Sequence, residues 1–237
     1  MRIYLCASSD ERPRTDPRLL AACVDYRFDK PFPSGRSPFP DGVMLLGGDL
    51  RSDRTGEIGA ECRRRGFSAV LAGFGAAPGV EVFRFCDGIL RQGLTPILTE
   101  SAWRAGCGAE LMISSAVTGG ELRSRLDEAR ERCPDLCLDL ERLRHSFSFP
   151  SPDGDGRLLS GKELSSLLRR GTEVRFSEEL VCKAFTIEEN GKTRFVLFDD
   201  GETLARKVRL AAEMGVGRCF LLYPEWKAEE AASALAE

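Results

Sequence analysis

Two carboxylates stand two residues apart in the stretch Asp135-Leu136-Cys137-Leu138-Asp139-Leu140-Glu141. A β-strand sends alternate side chains to opposite faces, so Asp139 and Glu141 share one face and Leu136, Leu138 and Leu140 share the other. The apolar face marks the segment for burial, and burying charge is costly unless it is paired or neutralised. Like charges held close together raise one of the two pKa values. A carboxyl that keeps its proton near neutral pH is what general acid catalysis requires. The same alternation also fits an edge strand with a wet acidic face, and the pattern alone leaves both readings open.

Other residues of possible chemical use fall at the ends of apolar runs. Asp49 follows Val43–Leu46, Glu100 and Trp103 follow Pro96–Thr99, and Tyr223 and Trp226 follow Cys219–Leu222. Aromatic faces suit the apolar faces of sugar rings, and carboxylates accept hydrogen bonds from hydroxyls. Both tryptophans could equally pack helices against a rim. His145 is expected in a loop after Glu141, as an exposed or capping residue. Gly119-Gly120-Glu121 before a helix could cradle a phosphate or simply form a turn. Asp199 and Asp200 precede a helix and read as caps.

The elements that position these groups follow a βα rhythm from Val43 to Glu141. Apolar runs alternate with helical stretches around Glu57–Arg65 and Val82–Gln92 and with one carrying Leu122, Leu126 and Ala129, the first two closed by glycine. Strands apolar on both faces indicate a parallel sheet. Ile3–Ala7 reads as a first strand, Pro17–Cys23 as a short helix, and about 24–42 as an irregular Pro/Gly/Ser-rich loop. Asn190-Gly191 joins two runs as a hairpin. Strands near Ile3, Val43, Ser68, Pro96, Leu111, Leu136, Cys182 and Cys219 make about eight. The expectation is an α/β fold: a compact (β/α)8 TIM-barrel-like single domain over residues 1–237, with an open doubly wound sheet as the alternative.

The chain of 237 residues carries a net charge of −3, which gives no basic footprint for nucleic acid or acidic membranes. Nine scattered cysteines without a CxxC, and a single histidine, predict neither a zinc site nor a full disulfide set. No metal and no cofactor is expected. Polar Ser8-Ser9-Asp10 come too early for a signal peptide, and no run approaches membrane-spanning length, so a cytoplasmic location is expected.

Two stretches resemble glycoside hydrolase family 18, especially its spore-germination and cortex-lytic branch. In that family a barrel strand carries Asp-x-x-Asp-x-Asp-x-Glu, and Asp139 and Glu141 match its last two places. Cys137 stands at the third acidic place from the end, and Pro134 at the first. The second stretch runs from Gly191 through Asp199-Asp200 to Leu222 and resembles the family's last hairpin, helix start and final strand. The resemblance implies that Glu141 protonates a glycosidic oxygen while Asp139 steers the N-acetyl group of a peptidoglycan- or chitin-like oligosaccharide. It also implies spore association. Leu222 occupies the place of the family's floor tryptophan, and no residue matches its mid-barrel tyrosine. A catalytically silent glycan-binding or scaffold barrel is therefore the first alternative, and a sugar-phosphate lyase or isomerase the second. Oligomeric state is not legible.

Overall fold

The computed structural model describes residues 1–7, 20–27, 41–75, 78–149, 156–170, 173–189, 191–222, 225–227, 230 and 232, with backbone alone at 7, 20–27, 149 and 189. Strands β1 (Arg2–Ala7), β2 (Leu20–Arg27) and β3 (Gly42–Gly47) come first, followed by helix α1 (Thr55–Arg65). The rhythm continues with β4 (Phe67–Ala72), α2 (Gly79–Arg91), β5 (Thr95–Thr99), β6 (Glu110–Ser114), α3 (Leu122–Arg132) and β7 (Leu136–Asp139). Helix α1 stops at Gly66, whose φ of 76° lets its N–H turn back to the Arg63 and Cys62 carbonyls.

After β7 the chain leaves the rhythm. It forms β8 (Arg144–Phe149), β9 (Arg157–Leu158), α4 (Gly161–Leu168), β10 (Arg175–Ser177), β11 (Cys182–Glu189) and β12 (Lys192–Phe198). These strands make a five-stranded sheet in the order β10-β11-β12-β8-β9, antiparallel throughout. Helix α5 (Gly201–Glu213) and strand β13 (Arg218–Leu222) then return to the main body.

Eight parallel strands close a barrel in the order β1-β13-β7-β6-β5-β4-β3-β2. Alternation sorts their side chains into two cores. Tyr4, Val43, Ala69, Ile97, Cys137 and Phe220 belong to the set that fills the barrel, while Leu5, Met44, Val70, Leu98, Leu138 and Cys219 pack outward against the helices. Tyr4 stacks on Phe220 with ring centroids 5.1 Å apart. Below them Arg218 pairs with Glu110, which also receives the Cys137 thiol at 3.0 Å. The interior is thus filled below the level at which Phe220 stands beside Asp139 of β7, and only residues at that level or nearer the carboxyl ends of the strands can meet a ligand.

Three expectations are corrected here. Residues 20–23 are strand rather than helix, because closing the barrel requires a strand between β1 and β3; residues 17–19 lie outside the described set. Residues 24–27 continue that strand and residue 42 opens β3, so the irregular stretch at 24–42 is shorter than expected and its middle lies outside the described residues. The run at Cys182 is no barrel strand: it pairs with β10 and β12 in the second sheet, and β2 supplies the eighth stave.

Candidate functional site

Because all eight strands are parallel, their carboxyl ends gather at one end of the barrel. The β7 register places Asp139 beside Ser114 of β6 and Phe220 of β13. Cys137, two residues earlier, is an interior residue, so Asp139 points inward one layer above it. The side chain is half-buried. Burial, then the negative charges of Glu141 and Glu225, raise its pKa to about 7. The Cys6 thiol, beside Asp139 in the interior, is pushed above the ordinary thiol range by burial and by that carboxyl.

Glu141 lies past the end of β7, exposed, and accepts a hydrogen bond from Ser114 Oγ at 2.8 Å. Ser114 Oγ in turn accepts the Ala116 N–H at 3.0 Å, which ties Glu141 to the β6 end. Glu225 arrives from beyond β13. Its carboxylate is 3.7 Å from the Arg144 guanidinium, and its carbonyl accepts from Arg142 at 2.9 Å. Asp139 at the end of β7, Glu141 just past it and Glu225 beyond β13 are therefore neighbours at this end, with Arg142 and Arg144 held against Glu225. Asp139 can donate a hydrogen bond when protonated, and its neighbours supply acceptors and cations.

The segment carrying Glu141 is anchored from behind. Asp199 Oδ2 accepts the Leu143 N–H at 2.8 Å and the Lys207 ammonium at 2.7 Å, and both of those side chains are almost fully buried. Asp199 is therefore a strut, not the helix cap expected from its position. Asp200 alone caps α5, exchanging hydrogen bonds with Thr203.

The remaining expected site residues disperse. Asp49 is exposed just past β3, close to Gly75 in the turn after β4, and so lies at the same end of the barrel. Glu100 is engaged outside the barrel by Arg125 at 2.8 Å and Arg132 at 2.9 Å. Trp103 and Trp226 are corrected as stacking residues. Trp103 is 8% exposed and donates to the Ala109 carbonyl, and Trp226 is 1% exposed and donates to the Leu140 carbonyl. Both rings pack in the core and present no open face to a sugar. Tyr223 lies outside the described residues. Phe74 and Leu222, 52% and 41% exposed, supply apolar surface at the carboxyl ends of β4 and β13 instead.

His145 sits on β8, stacked against Phe147, rather than in a loop. The Gly119-Gly120 turn offers a poor phosphate cradle, since the Leu122 N–H is taken by the Glu179 carbonyl at 2.9 Å. Glu225 and Arg144 were missed by the sequence reading. A position after a strand end was available as a signal for Glu225, and none was available for Arg144. Among the described residues no cluster of His, Cys, Asp and Glu is placed to hold a metal ion. No described helix is long and apolar enough to cross a membrane.

The fold is similar to that of solved chitinases and spore cortex-lytic enzymes. A chitinase from Chromobacterium violaceum shares it at a TM-score of 0.67 and 15% identity, over 100% of this chain and 99% of that one. The spore cortex-lytic enzyme SleL from Bacillus cereus does so at 0.69 and 14%, over 99% of this chain and 73% of that one. A plant class V chitinase mutant from Cycas revoluta, solved in complex with (GlcNAc)3, aligns at 0.51 and 14%, over 82% and 77%. No family model and no curated protein matches the sequence. The likeness establishes the fold.

Proposed function

We propose that this protein binds an N-acetylated oligosaccharide of the peptidoglycan or chitin kind at the carboxyl end of its barrel and leaves it uncut. The observation that carries this reading is the division of labour between the two acids. Asp139 is inward and half-buried, with burial and its acidic neighbours raising its pKa to about 7, while Glu141 stands exposed beyond the strand with Ser114 bound to it. A hydrolytic scheme needs its proton donor sheltered from water and aimed at the substrate, whereas Glu141 is exposed and one of its carboxylate oxygens is already held by Ser114 Oγ. The surroundings of a cleaving site are altered as well. Leu222 ends the last strand, and Tyr4 is locked in the barrel interior against Phe220. What the site retains is recognition chemistry: a carboxyl that can donate or accept, flanking carboxylates, and the exposed Phe74 and Leu222. The oligosaccharide-bound Cycas structure and the cortex-lytic neighbours favour N-acetylated wall glycans, and the latter favour a spore-associated setting.

A second reading is supported by the acid pair itself: Glu141 donates the proton and Asp139 holds the acetamido group. Titration calorimetry with N-acetylglucosamine oligomers and soluble muropeptides, combined with chromatography of the same mixtures, separates the two. The binding reading expects saturable heat, intact oligomer, and affinity lowered about tenfold or more in Asp139→Ala, the loss expected when a hydrogen bond to a charged or strongly polar group goes. Shorter products that vanish in Glu141→Gln would replace it with the hydrolytic reading. Absence of any binding would leave only a packing scaffold.

A further inference from the structure

A concavity lies outside the barrel, where the start of α3, the turn between β10 and β11, and the face of α5 meet. Its volume is about 350 Å³. Its apolar part is made by the side chains of Val181 and Leu210, both buried. Val181 has a φ of 51°, in the left-handed region that a β-branched residue rarely enters. The turn is held in that shape by the Glu179 carbonyl, which accepts the Leu122 N–H from α3. A strained backbone fixed by a neighbouring element is a common property of binding sites.

The charges around this floor are of both signs and are unequally engaged. Arg123 is paired with Glu213 at 2.8 Å. Arg206 is paired with Glu178 at 3.3 Å and Glu202 at 3.2 Å, and its guanidinium lies 4.2 Å from the Phe176 ring centre. Glu121 has no ion pair but accepts the Ser124 hydroxyl at 2.8 Å, whereas Arg209 and the Glu179 carboxylate, which also line the cavity, have neither an ion-pair nor a side-chain hydrogen-bond partner among the described residues. A simple anion would meet the surrounding glutamates, and a simple cation would meet the arginines. A small molecule carrying both charges complements the two open groups at once.

We propose that this cavity is a binding site for a short zwitterionic peptide or amino acid, with its carboxylate on Arg209, its ammonium on Glu179 and its body over Val181 and Leu210. The site is independent of glycan binding at the barrel end.

The test is amide-resolved NMR titration of the full chain with diglycine and triglycine, alongside N-acetyldiglycine, which lacks the cation, and diglycinamide, which lacks the anion. Chitotriose serves as the neutral control. The proposal expects saturable shifts at Val181 and Leu210 with the zwitterions, and affinities at least about tenfold weaker when either charge is blocked. Arg209→Ala should lower affinity for diglycine and leave the already weak diglycinamide unchanged, and Glu179→Gln should do the converse with N-acetyldiglycine. Both residues are exposed, so the variants should fold, which their spectra report directly. The proposal is overturned if neither zwitterion shifts these amides, if the blocked peptides bind equally well, or if chitotriose competes for the same resonances.

Discussion

Replacing Asp139 by Asn should change how stability depends on pH, and the structure fixes both the sign and the scale. The Asp139 pKa rises from an ordinary 3.8 to about 7 in the folded protein, through burial first and then Glu141 and Glu225. The folded state therefore binds this proton more tightly than the unfolded state does. The resulting stabilisation is fully present below pH 3.8 and is lost as the pH rises to about 7. About 3 pH units at roughly 1.4 kcal/mol per unit give an upper limit of about 4 kcal/mol. The side chain is only half-buried, so solvent screening brings the expected value nearer ~2 kcal/mol. Asn keeps the shape without the ionisation. Urea denaturation from pH 4 to 8 should show Asp139→Asn close to the parent at pH 4 and more stable by about 2 kcal/mol at pH 8. A constant difference across that range would refute the placement of Asp139 as an inward, proton-retaining acid.

Lys207→Met should cost about 3–5 kcal/mol by leaving Asp199 buried without its cation. The double variant Asp199→Asn/Lys207→Met should recover much of that loss in the same denaturation experiment. Gly191→Ala should cost about 1–2 kcal/mol through its positive φ alone, since no atom lies within 4 Å of the added Cβ; a drop in thermal midpoint without any change in ligand binding checks it.

The barrel was legible where each element carried its own signal. Strands β3 to β7 are apolar on both faces and each is set off by polar or glycine-rich turns, which is the mark of a buried parallel sheet. Strand β2 was not legible. Its Leu20-Ala21-Ala22 start has helical propensity, and only the demand of ring closure between β1 and β3 overrides it. The run at Cys182 has strand character, and local sequence cannot say which sheet a strand joins. The count of eight was therefore reached with one wrong member.

At the site, the two-residue period assumed that the strand runs through Glu141, and it could not show that β7 ends at Asp139 and leaves Glu141 beyond it. The tryptophans illustrate the same limit. A position after a strand end is necessary for lining a barrel mouth, yet Trp103 and Trp226 each find a backbone carbonyl in the core and turn away. Asp199 and Lys207 meet through the packing of α5 against the segment after β7, a contact that no spacing rule announces.

The most direct test is to incubate the protein with an N-acetylglucosamine hexamer near neutral pH, record binding heat, and analyse the sugar by mass spectrometry afterwards. A barrel that recognises glycan without cleaving it gives saturable binding and hexamer recovered at its original mass. Accumulation of dimer and tetramer at a rate that depends on Glu141 would contradict it.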